Sequence, residues 1–194
     1  MIRKWHLFLL LLLYPSVSTA QSPIAASPPE VLIRIAERGN VFLKLNPKAA
    51  PLTCAHFLSL CRHKFYDGIL FHRVVAGVLV QAGDPQTKTK GVNAPGIGTG
   101  GSGHPIPFEK NNLVNDTGTI AMALSSPRSN TGDSQWFINL KPNHEFDGDY
   151  CVFGYVVKGM SVLRHVTVGD KIISIQQIHS QPGNSPTHVK GASH

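Results

Sequence analysis

The chain has 194 residues, 42% of them hydrophobic and 15% charged, with a formal net charge of +7. That supplies one domain with a sizeable core. The basic residues are scattered, Lys88-Thr89-Lys90 being the densest run, which excludes the stripe or patch expected of a nucleic-acid binder.

Residues 1–20 have the pattern of a cleavable secretory signal. Met1-Ile2-Arg3-Lys4 is a positive start, Leu7 to Leu13 is unbroken apolar sequence, and Ser18-Thr19-Ala20 offers small residues at the cleavage positions. The run is shorter than the ~20 residues that cross a bilayer, so a mature form without a membrane anchor is expected, periplasmic or secreted. Loss of Arg3 and Lys4 with the leader would lower the net charge by two. Residues 21–29 read as a flexible lead-in, 30–179 as the folded domain, and 180–194 as a polar, disordered tail.

Val31 to Ala36 and Val41 to Leu45 are strand-like, with a hairpin turn expected at Arg38-Gly39-Asn40. Pro51 suits a first helical position, and Leu52, Ala55, Leu58 and Cys61, with Cys54, Phe57 and Phe65, make a stripe at helical spacing. Asp67-Gly68 stops that helix, and Ile69 is expected to begin a strand. From Phe71 to Asp84 the residues Arg73, Val75, Gly77, Leu79 and Gln81 share a parity, so one extended strand would put them on one face. A cation and an amide beside aliphatic surface cannot perform nucleophilic chemistry unaided, but they can bind a neutral polar group against an apolar wall.

Asp84 to about Pro107 is a long loop rich in Gly and Pro. Its Gly96-x-Gly98-x-x-Gly101 matches a dinucleotide fingerprint, but Pro95 precedes it and His104-Pro105-Ile106-Pro107 forbids the helix that motif requires. The glycines are better read as a loop folded close against the domain. Asn115-Asp116-Thr117 is a glycosylation sequon. Thr119 to Leu124 is a buried strand, Ser125 to Ser134 a polar loop, and in Gln135 to Leu140 one parity places Gln135 beside Phe137 and Asn139. Ser161 to Val166 reads as a second short helix and Lys171 to Ile178 as the last strand. Cys54 and Cys61 are too far apart along a helix, about 10 Å, to bridge. A pairing of Cys151 with either stays open, beside three buried thiols. The ten histidines show no zinc-ligand spacing, so no metal is expected.

Short strands, Gly-rich turns and two helical patterns make the chain mainly β, a sandwich or barrel. Phe71-His72-Arg73 with Gln81-Ala82-Gly83-Asp84, then Met122-Ala123, Ser134-Gln135-Trp136-Phe137-Ile138 and Val152-Phe153-Gly154, resemble in that order the cyclophilin family of peptidyl-prolyl cis-trans isomerases. The resemblance runs from about Glu30 to about Ile178. It implies a closed antiparallel β-barrel of about eight strands capped by two α-helices. It implies Arg73 as the catalytic residue, with His72, Val78, Leu79, Gln81, Ala123, Leu124, Gln135, Phe137, Phe146 and Tyr150 binding substrate. Proline-containing segments of exported proteins would be the partners, and a monomer needing no cofactor is expected.

The chain departs from the common family pattern at several positions. Val78 stands where most members have phenylalanine, Ala82 replaces a glycine, Leu124 a frequent polar residue and Tyr150 a frequent histidine. Glu145 occupies the place of a tryptophan found in cyclosporin-sensitive members, so at most weak binding of that drug is expected. The alternative is a proline-segment binding module or chaperone on the same fold, with catalysis weakened by Val78.

Overall fold

The computed structural model describes residues 27–178. The signal-like segment 1–20, most of the lead-in and the tail 180–194 lie outside the described residues. Among these, eight strands form one antiparallel sheet: β1 (Glu30–Ile35), β2 (Gly39–Leu45), β3 (Arg73–Val75), β4 (Leu79–Ala82), β5 (Thr119–Met122), β6 (Trp136–Asn139), β7 (Val152–Lys158) and β8 (Ile172–Ile178). Their order is β3-β4-β6-β5-β7-β2-β1-β8, so β3 and β8 are the two edges of the sheet. The sheet curls until the segment leading into β3 meets the one leading into β8. That seam carries a bridge between Leu70 and Lys171 and backbone bonds between Ile69 and Ile172 and between Phe71 and Asp170. The mainly β, eight-stranded barrel-like architecture is therefore as expected.

Three helices accompany the sheet, where two were expected: α1 (Pro51–Arg62), a four-residue α2 (Thr87–Lys90) within the Gly-rich stretch, and α3 (Met160–Arg164). In α1 the buried face is Thr53, Cys54, Phe57, Leu58, Leu60 and Cys61. Leu52, 51% exposed, and Ala55, also exposed, leave the predicted stripe. Leu52 lies two residues from Cys54, about 200° around a helix of 3.6 residues per turn. No side chain of Ala50 caps α1. Instead the carboxylate of Glu109, distant in sequence, accepts the N–H groups of Leu52 at 2.8 Å and Thr53 at 2.6 Å, where the helix dipole favours negative charge.

The β1–β2 turn is Ala36-Glu37-Arg38, earlier than expected, with Glu37 at positive φ (59°) and Gly39 just after it at 118°. Arg38 is held from the turn by Asp170, whose oxygen its Nε reaches at 2.8 Å. Cys54, Cys61 and Cys151 are free and buried. Burial pushes the Cys54 thiol up to about 12 and that of Cys151 to about 11, so they behave as small packed side chains. Asn115 of the sequon is fully buried, its backbone N–H and amide both directed at Asp147. A glycan on Asn115 is incompatible with this fold.

Two apolar clusters divide the structure. The larger fills the inside of the curled sheet, with Val80, Ile120, Met122, Trp136, Ile138 and Phe153 among its members. The smaller lies on the other face of β4, β5, β6 and β7 and is built from Leu79, Ala121, Phe137 and Val152. Strand alternation assigns neighbours to opposite clusters. Leu79 and Val80 part company in this way, as do Ala121 and Met122, and Phe137 and Ile138.

Candidate active site

A groove of about 590 Å³ lies over the smaller cluster. The single strand expected from Phe71 to Asp84 does not form. Ala76-Gly77-Val78 turn the chain back, with Gly77 at φ 70°, and β3 pairs antiparallel with β4. Arg73 thus faces Gln81 directly, and Val75 faces Leu79. In one extended strand, eight residues would have set Arg73 about 27 Å from Gln81 at ~3.4 Å per residue. Folded back, the Arg73 guanidinium donates to Gln81 Oε1 at 3.1 Å. Shared parity survives, because cross-strand partners project to the same face.

Register extends this pair into a row. Gln81 is the partner of Phe137 on β6, and Phe137 that of Ala121 on β5. Arg73, Gln81, Phe137 and Ala121 therefore lie in line across four strands, spaced at about 4.8 Å. Gln81 passes the polar contact onward: its amide donates to Gln135 Oε1 at 3.0 Å. The amide of Gln135 in turn donates to the carbonyls of Gly98 at 2.9 Å and Gly100 at 2.8 Å. Each donor in the chain meets an acceptor, which fixes both amides and leaves the other donors of Arg73 available.

On the apolar side, Phe137, Phe146 and Tyr150 contact one another edge-on, with ring centroids 5.3–5.7 Å apart, a favoured aromatic geometry. Phe146 belongs to a 3-10 turn (His144–Phe146) whose approach is held by buried amides. Asn143 donates to Asn139 Oδ1 at 2.8 Å and to the Val78 carbonyl at 3.2 Å, and Asn139 donates to Asn115 at 3.1 Å. The same network ties the tip of the β3–β4 hairpin to the turn bearing Phe146.

Nine of the predicted site residues line the groove: His72, Arg73, Leu79, Gln81, Ala123, Leu124, Phe137, Phe146 and Tyr150. Val78 does not; it packs, partly buried, against the smaller cluster. Gln135 lines an adjoining cleft together with Gln81, Gly98 and Asn130. The His72 ring lies beside Gly98, with both nitrogens buried and unpartnered. Burial holds its pKa below the ordinary 6.5, which favours a neutral imidazole.

Sequence reasoning assigned no role to Asp84, Val92, Ala94 or Ile97. Asp84 is fully buried. Its carboxylate accepts the N–H groups of Gln86 at 2.8 Å, Gly98 at 2.6 Å and Gly100 at 3.1 Å. A β-carbon on Gly100 would collide with that carboxylate, so the loop is folded close against the domain, as its glycines suggested. Val92, Ala94 and Ile97 line the groove from this loop. Their only sequence signal is that they are aliphatic in a stretch otherwise made of polar residues, Gly and Pro.

Known proteins resemble the chain in sequence and in fold. A family model described as "Cyclophilin type peptidyl-prolyl cis-trans isomerase/CLD" matches residues 31–181. A peptidyl-prolyl cis-trans isomerase of Synechococcus elongatus is 37% identical over 142 residues, covering 72% of this chain and 90% of the relative. A probable isomerase of Brucella suis is 35% identical over 159 residues, covering 80% and 81%. A crystal structure of a Cryptosporidium parvum cyclophilin type isomerase superposes with a TM-score of 0.68 at 26% identity, covering 80% of this chain and 99% of that one. A second, obtained in the presence of the dipeptide Ala-Pro, gives 0.66 at 28% identity, covering 78% and 99%. With this fold, and with relatives named for one reaction, the chain belongs to the cyclophilin family of peptidyl-prolyl cis-trans isomerases.

Proposed function

We propose that Arg73 speeds rotation about the X-Pro bond by binding the twisted amide better than the planar one. Amide rotation faces a barrier of ~18–20 kcal/mol because the nitrogen lone pair is delocalised into the carbonyl. At the twist that conjugation is lost, and the nitrogen becomes a hydrogen-bond acceptor. A donor waiting there favours the transition state over the ground state, which is what catalysis requires. The observation that carries this reading is the Arg73–Gln81 contact of 3.1 Å at the edge of a groove walled by Phe137, Phe146 and Tyr150.

A hydrogen bond to a charged group contributes ~1.5–3 kcal/mol, whereas a thousandfold acceleration needs ~4 kcal/mol. The remainder falls to the socket: Leu79, Ala123, Phe137 and Phe146 grip the prolyl ring and exclude water, where polar contacts strengthen. Val78 supports that socket from beneath, and Gln81 and Gln135 orient the peptide. The reaction breaks no covalent bond, so a chelator should leave it unchanged. The test is exchange of a proline peptide by wild type and Arg73→Ala. A fall of about ten- to a hundredfold in kcat/KM is expected, and equal rates would remove Arg73 from the mechanism.

We further propose that the substrates are proline segments of exported proteins, met by a monomer in the periplasm or outside the cell. The signal-like pattern of residues 1–20 supports this. Sequencing the N-terminus of protein recovered from those fractions tests it; a protein retaining Met1 to Ala20 in the cytosol would overturn it. Glu145 is exposed where sensitive relatives carry tryptophan, so cyclosporin should bind weakly at most.

A further inference from the structure

We propose that Val92, Ala94 and Ile97 form a subsite for an apolar side chain next to the proline in substrate. This rests on the groove being the isomerase site. Between Gly83 and His104 these are the only aliphatic residues apart from proline. All three line the groove and are partly buried, while the intervening Asn93, Pro95 and Gly96 are exposed. A solvated loop has no reason to turn each of its aliphatic side chains to one side. Here that side is the groove.

The wall is held in place before any peptide arrives. Gly98 and Gly100 are bound on one side by Asp84 and on the other by Gln135. The Gly96 carbonyl accepts from Thr99 Oγ1 at 2.7 Å, and Ile97 N–H donates to Ala94 O at 3.3 Å. A wall already ordered loses little entropy when it is covered. Its chemistry is aliphatic. The nearest lysines in the chain are engaged elsewhere, Lys88 with the Phe65 carbonyl and Lys90 with Gln86. The groove's about 590 Å³ is the space of about twenty liquid waters at ~30 Å³ each, more than the three methylenes of a prolyl ring occupy. A second side chain fits beside it, and each of its methylenes leaving water should favour binding about fourfold.

The test is a peptide series with Leu, Ser or Glu immediately before or after proline, read both as kcat/KM for exchange and as Kd by fluorescence anisotropy. Wild type should prefer Leu to Ser by about tenfold at one of the two positions. Val92→Ser combined with Ile97→Ser should bring that ratio near unity. Ile97→Lys should raise the relative rate for the Glu peptide, a gain that misfolding cannot produce. A wild type indifferent to the flanking residue, or a double variant that keeps the preference, overturns the subsite. If the preference appears in Kd while no peptide is turned over, the subsite stands and the arginine mechanism fails.

Discussion

Replacing Asp84 by asparagine should loosen the loop over the groove while leaving the barrel folded. The carboxylate takes three backbone N–H groups, from Gln86 on one oxygen and from Gly98 and Gly100 on the other. Asparagine keeps only one oxygen. If it serves Gly98 and Gly100, the N–H of Gln86 faces an amide NH2 and loses its bond. Bonds to a charged acceptor contribute ~1.5–3 kcal/mol, and neutral ones ~0.5–1.5. One lost and two weakened bonds therefore cost about 3.5–6 kcal/mol. Relief from burying a charge offsets part of this, leaving a net loss of about 2 kcal/mol. At ~2–4 °C per kcal/mol for a domain of this size, Tm should fall by about 4–8 °C.

Amide hydrogen exchange separates this from general destabilisation. Protection at Gly98 and Gly100 should drop further than at Ile33, at the centre of β1, because only the loop loses its anchor. Gln135 binds the carbonyls of those same glycines, so KM for a proline peptide should rise as the loop moves. An Asp84→Asn protein that melts with wild type and keeps its protection at Gly98 and Gly100 would refute the reasoning.

Gln81→Met keeps the bulk of the side chain but removes the acceptor that holds Arg73 and the amide that orients the peptide, so kcat/KM should fall by about three- to tenfold, less than in Arg73→Ala; an equal or larger loss would make Gln81, not Arg73, the principal donor to the peptide. Glu109→Ala should cost about 1 kcal/mol in urea unfolding, through two N–H groups at the start of α1 left without their carboxylate; no change would show that water replaces it fully. His72 sets a pH dependence. Its folded pKa lies below the ordinary 6.5, so on acidification the unfolded chain takes up the proton first. Its contribution is complete above that value and declines below it, by at most about 1.4 kcal/mol per pH unit, until folded His72 titrates as well. In denaturation measured across pH, His72→Phe should flatten this slope; an unchanged slope would assign it to other groups.

The parts of the molecule legible in the sequence are those set by local chemistry. Alternation and turn residues placed β1, β2, β5, β6 and β8 near their observed positions, and Pro51 marked the start of α1, although that helix ends at Arg62, ahead of the expected stop at Asp67-Gly68. What failed was a choice between two local readings of one segment. Arg73 to Gln81 alternates equally well as one strand or as a hairpin. Gly77 was the only sign of a turn, with no Asn-Gly or Asp-Gly signal beside it. Likewise Leu52 and Ala55 satisfied a helical stripe, but a sequence does not say which of two overlapping stripes meets the sheet. Asp84 was out of reach for another reason: its three partners are backbone groups, two of them in a loop more than ten residues away.

The site itself belongs to register rather than to any one segment. β4 lies between β3 and β6, and β6 between β4 and β5, so the row Arg73-Gln81-Phe137-Ala121 joins residues from three separate stretches of chain. A slip of one residue in any of these ladders would turn a side chain to the other face. It would send Phe137 inside the barrel and bring Trp136 or Ile138 out. The inner cluster opposes that slip, because Trp136 and Ile138 are fully buried there. The barrel core therefore does more than stabilise the fold. By fixing which parity of β6 faces inward, it sets the distance from guanidinium to aromatic wall on the other side of the sheet.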